Sequence, residues 1–168
     1  AVAVAAWRHG SGVRARHLAE ELSSKADRLQ QQTELLHAIS DSLDVLVILV
    51  ASDNRVVFTN QAAAAAAGTT ISTMQGGLVG GVLPKAVQPG IHAGLAQVRD
   101  QGGSAHQLLA WPGANGEAER MYRASFIPVH RIGEERDLVL LVLSDVSAIQ
   151  QANQRSTDML RRLVLTLV

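Results

Sequence analysis

Leucine recurs at every seventh position in the first third of the chain, and no other feature constrains the fold as strongly. The repeat comprises Leu22, Leu29, Leu36 and Leu43. The alternate positions of the same seam hold Leu18, Lys25, Gln32 and Ile39. An a/d seam of this length predicts a helix over residues 11–43 that pairs with a second helix in a coiled coil. An amphipathic helix packed on its own domain is the alternative.

A second seam occupies the other end of the chain. It begins after Ser147, which forms a predicted capping box with Gln150. Its positions include Ile149, Asn153, Leu160 and Leu163. An Asn at a core position selects a parallel, two-stranded register, so the two seams together predict a parallel homodimer. Residues 148–168 are expected to be a signalling helix that leads to an output domain beyond them.

The first residues suggest a membrane nearby. Residues 1–6 are all apolar, and Trp7, Arg8 and His9 follow them. This order is typical of the cytoplasmic exit of a transmembrane helix. Residues 1–10 are therefore expected to be the end of such a helix or a juxtamembrane segment, with the domain at the cytoplasmic face of the inner membrane. A frayed apolar terminus is the alternative.

Between the two seams, residues 44–147 change to strand-like patterns broken by turn residues. Strands are predicted at residues 45–50, 56–59, 105–111, 119–130 and 138–143, and helices at residues 62–67 and 88–101. The first of these helices consists of six alanines between Asn60, a good N-cap, and Gly68. Residues 69–84 are glycine-rich and predict short helical turns.

Composition and motifs exclude several classes of protein. The chain has no cysteine, which excludes disulfides, cysteine–zinc sites, iron–sulfur clusters and thiol catalysis. Basic and acidic residues number 15 each, so no basic surface for nucleic acid is expected. The sequence has no nucleophile elbow, HExxH motif or phosphate loop, and we expect no catalysis from this part of the protein.

Four stretches in this order resemble the PAS sensor domain. They are DSLDVLVILV at residues 41–50, VVFTNQA at 56–62, RMYRASFIPV at 120–129 and SDVS at 144–147. The last is a variant of the Asp-Ile-Thr motif at which PAS domains end. The alanine tract is a second departure from the family pattern. The resemblance covers residues 39–147.

The resemblance implies an α+β fold, with a five-stranded antiparallel sheet in the order 2-1-5-4-3 and helices on one face. It implies a sensory and dimerising module of a bacterial, membrane-anchored signalling protein. The output domain would be a histidine kinase of a two-component system or an HD-GYP-type cyclic di-GMP phosphodiesterase, so the full-length protein would be an enzyme. Asp145, Ser147 and Asn60 would relay the signal between the domain and the output helix.

PAS domains can hold a ligand between sheet and helices, which implies a set of lining residues here. The apolar candidates are Val47, Leu49, Phe58, Met74, Leu78, Leu95, Leu108, Tyr122, Phe126, Val139 and Leu141. Arg120 or Arg123 is expected to pair with a carboxylate of a small ligand. The alternative is that the apolar residues fill the core and the domain is a ligand-free dimerisation spacer.

The cofactor is left open by the sequence. Cysteinyl-flavin photochemistry is excluded because there is no cysteine. Haem is possible, because His92 near the start of the long helix is similar in placement to the proximal histidine of PAS haem sensors. The alternative for His92 is an ordinary surface histidine.

Overall fold

The computed structural model describes residues 2–42, 44–130 and 137–167. The elements in chain order are α1 Val2–Ser42, β1 Val45–Val50, β2 Val56–Thr59, α2 Gln61–Ala66, α3 Ile71–Met74, α4 Val79–Val82, α5 Gln88–Gln101, β3 Ala105–Trp111, β4 Arg120–Val129, β5 Leu138–Asp145 and α6 Ser147–Leu167. The chain divides into two compact units, residues 1–39 and residues 40–168. Among the described residues, no helix has the length and apolarity needed to cross a membrane.

The first unit is a single helix, so the prediction of a long N-terminal helix is confirmed. It begins at Val2, earlier than the predicted residue 11. All side chains from residue 12 to residue 35 are exposed. The seam residues Leu22 and Leu29 are 61% and 64% exposed. The pairing of this helix in a coiled coil stays a prediction.

The second unit is built on a five-stranded antiparallel sheet in the order β2-β1-β5-β4-β3. Strand β5 is central and pairs with β1 on one side and β4 on the other. The predicted α+β class and strand order are confirmed. The turn between β1 and β2 contains Asn54 in the left-handed region, where Asp53 Oδ1 accepts from the Arg55 N–H at 3.2 Å.

The core lies between one face of this sheet and the helices. Every second residue of β1 is buried, namely Leu46, Ile48 and Val50. Helix α5 contributes Ile91, Leu95 and Val98 from its inner face. Further fully buried side chains are Met74, Val79, Phe126, Val139, Leu141 and Leu143. These side chains fill the space between the centre of the sheet and α5.

Helix α5 approaches the sheet closely because two of its inward positions are glycines. A Cβ atom at Gly94 would clash with the ring of Phe126, and one at Gly90 would clash with the side chain of Leu109. The two side chains therefore occupy the volume that longer residues on α5 would take. Beside Gly90 and Gly94 the space between α5 and the sheet is therefore filled by protein side chains.

Gly94→Ala is expected to destabilise the domain by about 1–3 kcal/mol, because the added methyl group overpacks Phe126. The better helix propensity of alanine recovers only about 1 kcal/mol of this cost. The measurement is the urea midpoint. Gly81→Ala is the matched control, because a Cβ atom there meets nothing within 4 Å. Equal midpoints for the two variants would show that α5 is not held against Phe126.

The buried side chain of Asn60 joins β2, α2 and β1. Its Oδ1 accepts from the N–H of Ala63 at 3.0 Å, which confirms Asn60 as the N-cap of α2. The same oxygen accepts from the N–H of Val47 at 3.0 Å, and Nδ2 donates to the carbonyl of Val45 at 2.9 Å. A single buried amide thus fixes where α2 starts against the edge of β1.

Candidate functional site

A pocket of about 560 Å³ lies at one end of the sheet, where β1 begins, β3 ends, β4 begins and β5 ends. Helix α2 forms its opposite wall. This volume is in the range of small-molecule sites in proteins. The pocket is separate from the filled space under α5, and we therefore treat it as the candidate site.

The α2 wall consists of the alanine tract. Ala62, Ala65 and Ala66 line the pocket at i, i+3 and i+4 spacing, which is one face of the helix. Ala63 and Ala64 are fully buried on the other side. Longer side chains at the three lining positions would occupy the pocket, so the alanines keep it open.

Two aromatic rings form the apolar wall on the sheet side. Trp111 and Tyr122 are both buried and meet edge to face, with ring centroids 5.7 Å apart. The Trp111 Nε1–H donates to the carbonyl of Ala66 at 2.9 Å. This bond ties the end of β3 to α2 and fixes the width of the pocket between them.

The charged lining consists of Arg120 and the carboxylates of Asp44, Glu117 and Asp145. The guanidinium of Arg120 lies 3.7 Å from Glu117 Oε2 and 3.7 Å from Asp145 Oδ2. At these distances the charges form ion pairs, but the atoms are too far apart for hydrogen bonds. Arg120 is 55% exposed, and such pairs contribute little stability. Arg120 is therefore a cation with two long ion pairs to acids, and it also lies within hydrogen-bonding reach of the Tyr122 hydroxyl.

Burial raises the pKa of Tyr122, and the negative charge of Asp145 raises it further, while Arg120 partly offsets both. The Tyr122 hydroxyl therefore stays protonated at neutral pH. The hydrogen bonds that Asp145 accepts from the hydroxyl and the backbone N–H of Ser147 hold the pKa of this carboxyl below its usual range. Asp145 is thus ionised at neutral pH.

Asp145, the last residue of β5, also caps the start of α6, the predicted output helix. Its Oδ1 accepts from the Ser147 N–H at 2.9 Å. The Ser147 Oγ accepts from the N–H of Met121 at 2.8 Å, and the Val146 N–H donates to the Met121 carbonyl at 2.8 Å. The junction between β5 and α6 is therefore hydrogen-bonded directly to the start of strand β4, at the residue after Arg120.

This geometry corrects the predicted capping box. The Ser147 hydroxyl bonds to β4 and to Asp145, whereas the N–H of Gln150 donates to the carbonyl of Val146. The prediction was wrong because the sequence pattern does not reveal that a neighbouring strand offers Ser147 a partner. Ser147 therefore connects α6 to β4, and Asp145 accepts the backbone N–H at the start of α6.

The predicted lining residues are divided among several environments. Six lie in the buried core: Met74, Leu95, Tyr122, Phe126, Val139 and Leu141. Of the whole predicted set, only Tyr122 and Arg120 line the pocket. Val47 and Leu49 lie on the outer face of the sheet, because they alternate with the buried residues of β1. Phe58 is half-buried, and Leu78 is half exposed.

Two further candidates also face outwards. Leu108 is 54% exposed and pairs in register with Arg123, and both residues lie in a depression on the outer face with His106 and Gln107. The inward residue of that part of β3 is Leu109. Arg123 therefore cannot act on a ligand in the pocket, and Arg120 is already shared between two acids.

His92 is exposed on α5, next to the inward-facing Ile91. Its imidazole is outside the core, so the structure gives no support to His92 as a haem ligand inside the fold. No group of three His, Asp or Glu side chains suited to a metal ion occurs in the described part of the chain. His92 is an exposed surface histidine, as the alternative interpretation of the sequence had it.

The dimer-seam residues can be placed only in part. Leu22, Leu29, Ile149 and Asn153 are exposed. The side chains of Leu36, Leu160 and Leu163 lie outside the described residues. The seams therefore remain predictions about a second chain.

Sequence reasoning missed most of the pocket. It did not single out Asp44, Trp111 or Glu117, or the lining alanines, as site residues. The i, i+3, i+4 alanines beside a capped helix start were one signal. The position of Trp111 at the end of a strand, before a Pro-Gly turn, was another.

Comparisons with known proteins agree with this fold. A family model described as the PAS fold matches residues 40–151, which is more than half of the chain. The chain belongs to the PAS family. PAS domains are sensory, non-catalytic modules, which confirms the expectation that this module is not itself an enzyme. A comparison with curated proteins gives no match.

Solved PAS structures share the fold at low sequence identity. A sensory box sensor histidine kinase from Vibrio cholerae is 18% identical with a TM-score of 0.53, over 73% of this chain and 98% of that one. The PAS domain of BvgS from Bordetella pertussis is 15% identical with a TM-score of 0.55, over 79% and 98%. A domain of an HTR-like protein from Haloarcula marismortui is 21% identical with a TM-score of 0.51, over 62% and 99%.

Proposed function

We propose that this PAS module senses a signal and relays it through α6 to a C-terminal effector. The observation that carries the proposal is the junction at Asp145 and Ser147, which bonds the start of α6 to β4. Any change in the position of the start of strand β4 acts directly on α6. The pocket adjoins the same junction, because Arg120 at the start of β4 and Asp145 at the end of β5 both line it.

A histidine kinase is the effector that the structural neighbours favour, since they include PAS domains of sensor histidine kinases. An HD-GYP-type phosphodiesterase is the second candidate, on the resemblance of residues 159–168 to the helix that opens such domains. In either case the module would be a parallel homodimer at the cytoplasmic face of the inner membrane, joined to an upstream transmembrane helix. Nucleic acid is not among the proposed partners.

A ligand-free dimerisation spacer is the alternative function. The observation that favours it is the filled core, where Phe126 and Leu109 occupy the space beside the glycines of α5. The spacer and the sensor differ in whether the β4–α6 junction transmits a change.

Ser147→Ala tests the relay. The variant removes the acceptor of the Met121 N–H, and a lost hydrogen bond of about 1.4 kcal/mol raises local opening about tenfold. We expect hydrogen exchange to accelerate by this factor at Met121 and at Gln150 in the first turn of α6. Amides of Ile48 and Leu141 in the centre of the sheet should keep their protection.

Ser156→Ala is the matched control, because it removes an exposed hydroxyl from α6 at a distance from the junction. Unchanged exchange in the first turn of α6 in Ser147→Ala would mean that β4 does not control the helix. The relay would then be rejected in favour of the spacer.

A further inference from the structure

The pocket at the end of the sheet has an unusual balance of charge. Three carboxylates, from Asp44, Glu117 and Asp145, face a single cation, Arg120, so the lining carries a formal charge of −2. Asp145 is held in its ionised form by Ser147. The whole chain has a formal net charge of zero, so this negative excess is local to the pocket.

The remaining lining is small and apolar. The alanine face of α2 lies opposite the buried rings of Trp111 and Tyr122, and the Trp111–Ala66 hydrogen bond holds these walls at a fixed separation. Such walls favour an alkyl chain, which gains free energy by leaving water. The pocket thus combines an apolar slot with a negatively charged rim.

These features disfavour the carboxylate ligand predicted from the sequence, which stays a prediction. Arg120 already lies 3.7 Å from both Glu117 and Asp145, and an incoming carboxylate would meet the repulsion of these acids. An ammonium group would instead be attracted by these carboxylates. It offers three donors and competes with Arg120 for the same oxygens, whose present ion pairs are long.

We propose that this pocket binds a small aliphatic amine in its ammonium form. The alkyl part lies along Ala62, Ala65 and Ala66, and the ammonium group binds the carboxylates of Glu117, Asp145 and Asp44. Binding displaces the Arg120 guanidinium from Asp145, the residue that starts α6. This inference names the ligand class for the proposed sensory function and rests on that function only for its effect on α6.

Three probes with the same four-carbon chain test the ligand class by calorimetric titration at low salt. They are 1,4-diaminobutane, 1,4-butanediol and succinate. We expect saturable one-to-one binding of the diamine alone, with an affinity that falls as salt screens the charges. No saturable heat with the diamine, or equal binding of the diol or succinate, would overturn the proposal.

Variants locate the binding. Glu117→Gln should raise the dissociation constant of the diamine roughly two- to fivefold, as expected for a partly exposed ion pair. Asp100→Asn, an exposed carboxylate on α5, is its control. Ala65→Leu should abolish binding by filling the pocket, whereas Ala93→Leu on the exposed face of α5 should not. Diamine binding that survives in Ala65→Leu would place the site elsewhere.

Hydrogen exchange with and without the diamine separates this inference from the relay. Binding accompanied by faster exchange at Gln150 supports both. Binding without any change in α6 supports the amine site and rejects the relay. Absence of binding, together with an accelerated α6 in Ser147→Ala, rejects the amine site and leaves the relay supported.

Discussion

Asn60→Ala is expected to lower the free energy of unfolding by about 3–5 kcal/mol, because the substitution removes three hydrogen bonds of a buried amide. Loss of the helix cap accounts for about 1 kcal/mol of this. The rest comes from the N–H of Val47 and the carbonyl of Val45, which lose their buried side-chain partner. The measurement is urea denaturation at matched protein concentration, since dimerisation would add to stability.

Two comparisons separate the parts of this effect. Thr70→Ala removes a helix cap without any bond to the sheet. Thr70 Oγ1 accepts from the Thr73 N–H at the exposed start of α3, and its other hydrogen bonds go to the exposed hydroxyls of Ser72 and Thr73. The substitution should cost about 1 kcal/mol. Asn60→Asp keeps the acceptor but loses the donor to Val45, and should be intermediate or worse because it buries a carboxylate. If Asn60→Ala costs no more than Thr70→Ala, the bonds to β1 contribute nothing.

The positions of the strands and long helices were predictable because each has a strong local signal. Strand β1 is a short apolar run before a turn, and α5 has Ile91, Leu95 and Val98 on one face and ends at Gly102, which adopts the left-handed conformation. The strand order is a different matter. It was implied by the family resemblance, because no local pattern indicates which strands become neighbours.

The faces of the strands were less predictable. Strand β1 is apolar at all six positions, so alternation does not indicate which residues point inwards. The prediction chose Val47 and Leu49, and the buried residues are their neighbours Leu46, Ile48 and Val50. The same shift of one residue separates Leu108 from Leu109 in β3. In both strands the phase is set by tertiary packing against α5 and α2.

The pocket could not be predicted because it exists only where four strand ends meet. Asp44 and Glu117 are distant in sequence and have ordinary surface surroundings when each is considered alone. The glycines of α5 show the converse. Gly90 and Gly94 suggest space beside the helix, but that space is taken by Leu109 and Phe126. The volume left open is instead beside the alanines of α2.

Replacing both Leu22 and Leu29 by aspartate is expected to convert a dimer into a monomer. Each leucine is more than 60% exposed on a helix whose side chains from 12 to 35 are all exposed, so a second chain is what would bury them. A buried leucine contributes about 1.5–3 kcal/mol, and a dimer loses four of them. The dimer dissociation constant should therefore rise at least about a thousandfold, as measured by sedimentation equilibrium.

Val13→Asp with Ala38→Asp is the matched control, since it adds the same charge at exposed positions of α1 that lie off the seam. In a heptad that places Leu22 and Leu29 at a, these residues fall at f and c, which face solvent in a coiled coil. Dimerisation should persist in the control, and α1 should remain helical there. If both double variants keep the parent's dissociation constant, α1 does not form the interface. If both dissociate equally, charge rather than the leucine seam controls assembly, because only a seam makes the two pairs of positions unequal.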